Sequence, residues 1–363
     1  CRRERLAASD KSRQLEVKQV SENKQKILKP SARLSVAPMM AWTDRHCRVF
    51  HRMISREVLL YTEMVTAPAL VLGGALRLLD FSPEEQPVAL QLGGSNPEQL
   101  AKATALGAAH GYGEINLNLG CPSDRVQSGR FGAVLMTEPD LVRACLEAMQ
   151  AASAAEVTVK CRIGVDDQQV EDSLPAFLSM IESTGVSRVI IHARKAWLQG
   201  LSPKENRDIP PLDYDLVLRM KQMFPGLHLS LNGGVEHLPD ACAHLEAGLD
   251  GVMIGRAAYH TPYEILSRAD CDVFRSSKGP APEAQSIAEQ MIPYMEAHLQ
   301  QGGRLHQITR HMFGLFAGQP GARHWRRRLS ELGAQQDAQI ADYRLLLNER
   351  AALSQRQAEL DLN

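Results

Sequence analysis

The chain has 363 residues, 44% of them hydrophobic and 23% charged, with a formal net charge of −1. Its length suits a barrel of roughly 250 residues with a further module of about 80, and the apolar share is enough for a large core. The balanced charge excludes binding of a polyanion by the surface as a whole, so any nucleic acid must meet a local basic face.

The seven cysteines are odd in number and form no Cys-x-x-Cys pair, which argues against a disulfide framework or structural zinc and for a reducing, cytoplasmic setting. No apolar run of about 18 residues and no apolar segment near the start occur, so neither a membrane span nor a secretory signal is expected. Residues 1–30 are polar and mixed in charge, ending at Lys29-Pro30, and read as a frayed extension without a catalytic part.

From residue 33 the chain alternates short apolar runs with stretches of helical spacing. The runs are Leu34–Pro38, Val58–Thr62, Val88–Leu92, Glu114–Asn118, Val157–Cys161, Arg188–His192, Leu227–Leu231 and Gly251–Ile254. The amphipathic stretches between them are Asp44–Ile54, Pro97–His110, Asp140–Ala151, Glu171–Thr184 and Leu212–Met223, with a last connection over Glu236–Ala247. Eight apolar strands alternating with helices predict an α/β fold, a parallel (β/α)₈ TIM barrel over 31–275. After Tyr263 the strand pattern stops. Ser276–Pro282 reads as a linker, and Glu283–Gln300, Gln307–Phe316, Ala322–Gly333 and Asp337–Gln355 predict a smaller all-helical C-terminal domain over 283–355.

Function in such barrels sits at the C-terminal strand ends. Asn232-Gly233-Gly234 and Gly255-Arg256 end the seventh and eighth runs, the usual phosphate position, where glycines let backbone N–H groups approach closely. Arg256 suits a forked contact to that phosphate, the alternative being a surface arginine on a helix's opening turn. Lys160 follows a buried run and wants an anion, either a ligand or a neighbouring carboxylate. His192, by itself a structural histidine, gains weight from sharing the mouth with Lys160. Cys121 lies between Gly120 and Pro122, which fix its loop, and suits a nucleophile or a proton donor. No Cys-His hydrolase spacing accompanies it.

These residues together resemble the tRNA-dihydrouridine synthase family over roughly 33–350. The matching stretches are Ala37-Pro38-Met39-Met40 with Thr43-Asp44, Gln91-Leu92-Gly93-Gly94, Asn116 and Asn118 leading into Gly120-Cys121-Pro122-Ser123, Val159-Lys160-Cys161-Arg162, and the two glycine elements above. The run from His192-Ala193-Arg194-Lys195 to Lys204-Glu205-Asn206-Arg207 and the later Gly318–Arg327 stretch resemble the A-type bacterial subfamily, which acts on D-loop uridines 20 and 20a. The resemblance implies FMN across the barrel mouth, its ring near Pro38, Met39, Met40, Gln91, Lys160 and His192. Its phosphate would rest on Asn232, Gly233, Gly234, Gly255 and Arg256. NADPH would serve as electron donor, with hydride from reduced FMN adding at uracil C6 and a proton from Cys121 at C5.

A stacked base must be flipped out to reach such a site, which needs a broad RNA grip. Asn118 is expected at the uracil edge, with Lys204 and Arg207 beside the site. Arg323, Arg326 and Arg327 are expected on one side of a tail helix whose Trp325 packs in the core. The expected partner is the tRNA D-loop, with no membrane, no metal and a monomeric chain. Two other readings remain at this level: an FMN-dependent barrel oxidoreductase of a free pyrimidine or small conjugated carbonyl, and a non-redox tRNA-binding protein.

Overall fold

The computed structural model describes residues 30–123, 126–127 and 129–361, so the N-terminal extension, apart from Pro30, lies outside the described residues. Strands form at all eight apolar runs: β1 (Leu34–Val36), β2 (Leu60–Thr66), β3 (Val88–Gly93), β4 (Glu114–Leu119), β5 (Glu156–Arg162), β6 (Arg188–His192), β7 (His228–Asn232) and β8 (Gly251–Ile254). They pair in parallel in the order β1-β8-β7-β6-β5-β4-β3-β2. The sheet closes on itself where Val36 N donates to Leu59 O (3.0 Å) and Leu59 N to Leu34 O (3.1 Å). Closure removes both sheet edges and gives the (β/α)₈ barrel.

The strands are buried on both faces, and the two faces differ in kind. On β4, Ile115, Leu117 and Leu119 join the large apolar core shared with the helices. The alternating Glu114, Asn116 and Asn118 are also buried, but hydrogen-bond with residues of β2, β3 and β5 inside the barrel. A small separate cluster of Ala37, Leu59, Tyr61, Ala89, Ile190 and Met253 fills the remaining interior. On β4 a period of two therefore sets apolar residues outward under the helices and polar ones inward, while other strands also turn apolar residues inward.

Helices follow the predicted stretches within two residues, and three of their starts are capped by a side chain. Asp44 accepts from Cys47 N (3.0 Å) to begin Arg45–Ile54, Asn96 from Gln99 N (2.9 Å) to begin Pro97–Ala109, and Asp213 from Leu216 N (2.8 Å) to begin Tyr214–Met223. The structure departs from expectation in the tail. Glu283–Gln300 divides into Ala284–Gln290 and Ile292–Gln300, a break at which Pro293 brings no N–H to continue the first helix's ladder. Gln307–Phe316 is not one helix: Leu305–Thr309 gives way to tight turns joining Met312 N to Thr309 O and Leu315 N to Met312 O. There the chain presses onto the barrel so closely that a Cβ at Gly314 would lie 2.0 Å from His260 O. Ala322–Ala334 and Ile340–Asp361 complete the tail.

The tail docks beside the loops after β1 and β8. Asp44 pairs with Arg310 and with His311 (3.0 Å), and His46 Nδ1 meets Tyr294 Oη at 2.8 Å. Trp325 is fully buried, its indole N–H donating to Met312 O at 2.8 Å. Among the described residues no helix is long and apolar enough to cross a membrane.

Candidate active site

Cations dominate the C-terminal mouth of the barrel. Lys160 sits near the end of β5, paired in register with Asn118 of β4. Its ammonium makes no hydrogen bond or ion pair with any described residue. Burial, and next the Arg162 guanidinium, lower its pKa from 10.5 to about 8. His192 ends β6, and burial followed by Arg162 and Lys160 holds it well below the ordinary histidine range, so the imidazole is neutral. Arg162 is buried and is held by carbonyls alone: Gly120 O at 3.0 Å, Lys195 O at 3.0 Å and Asn206 O at 2.8 Å. Arg194 likewise reaches Pro210 O. Among the described residues, Lys160, Arg162 and Arg194 have no carboxylate partner, a concentration of positive charge that suits an anionic ligand.

The Cys121 loop is clamped at each peptide. Asn118 Oδ1 accepts from Gly120 N (3.1 Å) and Cys121 N (3.0 Å), while Ala133 N donates to Cys121 O (2.9 Å). Gln127 Nε2 spans Pro122 O and Leu198 O at 2.7 Å each. Gly132 permits the close return: its φ is +77°, and a Cβ there would lie 2.5 Å from Cys121 O. Cys121 itself is half-buried, with Ser123 Oγ at 3.5 Å from its Sγ. Cys145 and Cys161, by contrast, are pushed up by burial to about 11 and about 12, values that keep a thiol inert.

Gln91 and Asn118 stand side by side in the mouth, Asn118 Nδ2 donating to Gln91 Oε1 at 2.8 Å. With its oxygen committed to the Cys121 loop, Asn118 has one amide N–H left for a ligand. At the end of β1, Pro38 and Met39 are half-buried and Met40 is 61% exposed. Met39 reaches toward Gly255, beyond β8: a Cβ at Gly255 would lie 3.8 Å from Met39 Sδ.

Asn232 Nδ2 donates to Met253 O (2.7 Å), tying β7 to β8. Gly233 and Gly234 follow with φ of +104° and +72°. A Cβ on Gly233 would meet His192 Cδ2 at 2.5 Å, and one on Gly234 would meet Leu212 Cδ1 at 2.4 Å, so the turn is built for glycine. Arg256 opens the helix Arg256–His260 and pairs with Asp208 at 2.8 Å.

Lys204 and Arg207 lie exposed on the loop after β6, with Arg207 in the short helix Glu205–Asp208. Buried Asn206 organises that loop through Trp197 N (2.7 Å) and Trp197 O (2.8 Å). On Ala322–Ala334, Arg323, Arg326 and Arg327 are all exposed. Arg328 turns instead to Glu349 (2.9 Å) and Glu331 (2.8 Å). A groove of about 490 Å³ between barrel and tail carries Arg45, His46, His298 and Arg304. Nothing in the sequence signals that groove or Gln127, and Arg162 and Asn206 stand within matched stretches without a role, because their partners are carbonyls and amides distant along the chain.

A closed eight-stranded barrel carries at one mouth a clamped half-buried thiol, a glycine turn and an ammonium unpaired among the described residues, the architecture of an enzyme barrel. The family profile described as dihydrouridine synthase matches residues 35–354, and the chain belongs to that family, which makes it an oxidoreductase. A tRNA-dihydrouridine(20/20a) synthase of Vibrio parahaemolyticus is 56% identical over 302 residues, covering 83% of this chain and 91% of the relative. The protein of that name from Escherichia coli K12 is 55% identical over 302 residues, 83% of this chain and 86% of its own. Among solved structures, a 2-naphthoyl-CoA reductase in complex with 2-naphthoyl-CoA matches with a TM-score of 0.50 at 10% identity, covering 66% of this chain and 50% of that one, a likeness of fold alone.

Proposed function

We propose that this chain reduces uridine to 5,6-dihydrouridine in the D-loop of tRNA, at positions 20 and 20a, with FMN as cofactor and NADPH as reductant, in the cytoplasm. Support comes from the two relatives' shared name and coverage and from a mouth whose residues fit a flavin. The observation that carries the reading is the Cys121 loop, clamped by Asn118 of the strand next to that of Lys160, whose ammonium has no partner among the described residues. Bound FMN would supply hydride, and uracil C6 is the position open to it because the C5=C6 bond is conjugated with the C4 carbonyl.

The chain's own residues do the rest. Lys160 offers positive charge to an anionic ring edge, and neutral His192 and the remaining N–H of Gln91 offer hydrogen bonds. Pro38, Met39 and Met40 border the ring. Asn232, Gly233, Gly234, Gly255 and Arg256 take the phosphate, Arg256 exchanging Asp208 for it. Cys121 Sγ gives its proton to C5 of the enolate left by hydride addition, completing the gain of two hydrogens. Asn118 addresses a uracil carbonyl with its free N–H. Lys204, Arg207, Arg323, Arg326 and Arg327 hold RNA phosphates while the base is flipped out.

The test is to record the visible spectrum of the purified protein, incubate it with NADPH and unmodified tRNA, and seek a mass gain of two hydrogens on D-loop uridine. A yellow protein that forms dihydrouridine there supports the proposal. NADPH oxidation that leaves tRNA unchanged, or turnover of a free pyrimidine after RNase treatment, refutes the substrate. A colourless protein that only binds tRNA refutes the chemistry.

A further inference from the structure

The polar residues lining the barrel interior form a continuous chain with one direction. At its foot, buried Glu114 forms an ion pair with buried Arg188, which also lies 3.4 Å from Glu156. Tyr61 Oη donates to Glu114 Oε1 at 2.6 Å, and Thr158 Oγ1 donates to the same oxygen at 2.9 Å. An ionised carboxylate only accepts hydrogen bonds, so the single proton of Thr158 must point at Glu114. Its oxygen is then free only to accept, and does so from Asn116 Nδ2 at 2.9 Å. That fixes Asn116 with its oxygen toward Gln91, whose Nε2 donates to it at 2.8 Å. Gln91 in turn shows its oxygen to Asn118 Nδ2 at 2.8 Å. Asn118 must therefore face the Cys121 loop with its oxygen, as the Gly120 and Cys121 N–H groups require.

An amide flipped anywhere along this row sets donor against donor at one neighbour and acceptor against acceptor at the other. The register supports the row: Gln91 lies beside Asn116, and Asn116 beside Thr158, on adjacent parallel strands. We propose that Glu114, Thr158 and Asn116 are positioning residues, an orienting relay by which a buried ion pair at the barrel floor fixes the Gln91 and Asn118 amides and the pose of Cys121. None of the three touches the reacting atoms. Their effect is to leave one N–H on Gln91 and one on Asn118 as the groups those amides offer a ligand, and to hold the thiol loop against rotation.

Only the kinetic part of this inference rests on the function proposed above; the loop geometry does not. The test is Thr158→Val in the full-length protein, which removes the hydroxyl at nearly constant volume, with Thr158→Ser as the rescue. The first readout is the rate of Cys121 alkylation by iodoacetamide, followed by peptide mass spectrometry with Cys271 as internal reference. Thr158→Val is expected to raise the Cys121 rate several-fold relative to Cys271, and Thr158→Ser to restore it. The second readout is dihydrouridine formation. There kcat is expected to fall by roughly ten- to a hundredfold as the proton donor loses its alignment, with KM for tRNA within about twofold.

Where Thr158→Val does not fold, Thr158→Ala removes the same hydroxyl without setting a methyl group against Asn116 and is expected to act in the same direction. A wild-type Cys121-to-Cys271 ratio and kcat in the folded variant overturn the relay. So does an equal rise at both cysteines, which marks general loosening instead. A changed ratio in a protein that makes no dihydrouridine retains the relay and refutes the function.

Discussion

Lys160 offers a sharp test of the mouth, because its ammonium is costly to the protein on its own. Each pH unit is worth about 1.36 kcal/mol, so a pKa lowered from 10.5 to about 8, chiefly by burial, sets the cost of the charged form at about 3 kcal/mol. Solvent reaching the mouth reduces this to about 1–3 kcal/mol. Lys160→Met keeps the stem and removes the charge. At pH 7 the lysine is protonated in both folded and unfolded chains, so the full cost is present and the methionine variant, stripped of flavin, should be more stable by that amount. The depressed folded value means that wild type regains stability as pH rises from about 8 toward 10.5, and the two proteins should converge there. Urea unfolding of flavin-free protein at pH 7 and pH 10 measures both terms, and visible absorbance measures flavin retention, which the variant should lose. A variant less stable than wild type at pH 7 refutes the reasoning. It would mean that a carboxylate of the protein, and not a bound ligand, is the partner of Lys160.

Cys121→Ala should lower single-turnover dihydrouridine formation by about 10²–10⁴, the range for loss of a positioned acid, with tRNA affinity unchanged in a filter-binding assay. Gly233→Ala places a Cβ against His192 at a φ of +104°, so purified variant should carry less FMN by absorbance while its far-ultraviolet dichroism stays native. Replacing Arg323 and Arg326 together by Ala should weaken tRNA binding and reduce the slope of log K against log salt by about 0.7–0.9 per lost phosphate contact. An unchanged slope would remove both residues from the RNA grip.

The barrel was legible because parallel strands covered on both faces read as apolar runs, separated by stretches of helical spacing. The strand-end residues stood out because a lysine after a buried strand and a cysteine fixed between Gly120 and Pro122 are unusual, and because glycine elements follow both the seventh and the eighth strand. Less legible was why Asn118 sits where it does. In sequence it appears available to a ligand; in the structure its oxygen already holds two loop amides, and one N–H remains. Glu114 and Thr158 carried a faint signal, a polar residue at every second position of strands with both faces buried. That alternation normally marks a solvent-exposed face, and only barrel closure converts it into an interior. The turns after Thr309 were hidden for a similar reason: Gln307–Phe316 has helical spacing, and it is the close pass of Gly314 over His260 that breaks it.

The two interior layers of the barrel make opposite demands. At the floor, Arg188 and Glu114 pair within the protein, and removing Arg188 leaves the buried Glu114 carboxylate without its cation, a loss of the order of 3–5 kcal/mol. At the mouth, among the described residues, Lys160 has no such partner and Arg162 only carbonyl oxygens. Charge balance there passes to whatever binds, so an anionic cofactor should stabilise the fold in proportion to its affinity and concentration. The amide row between the layers carries no net charge. It can therefore fix orientation at the mouth without neutralising the cations that draw the ligand in.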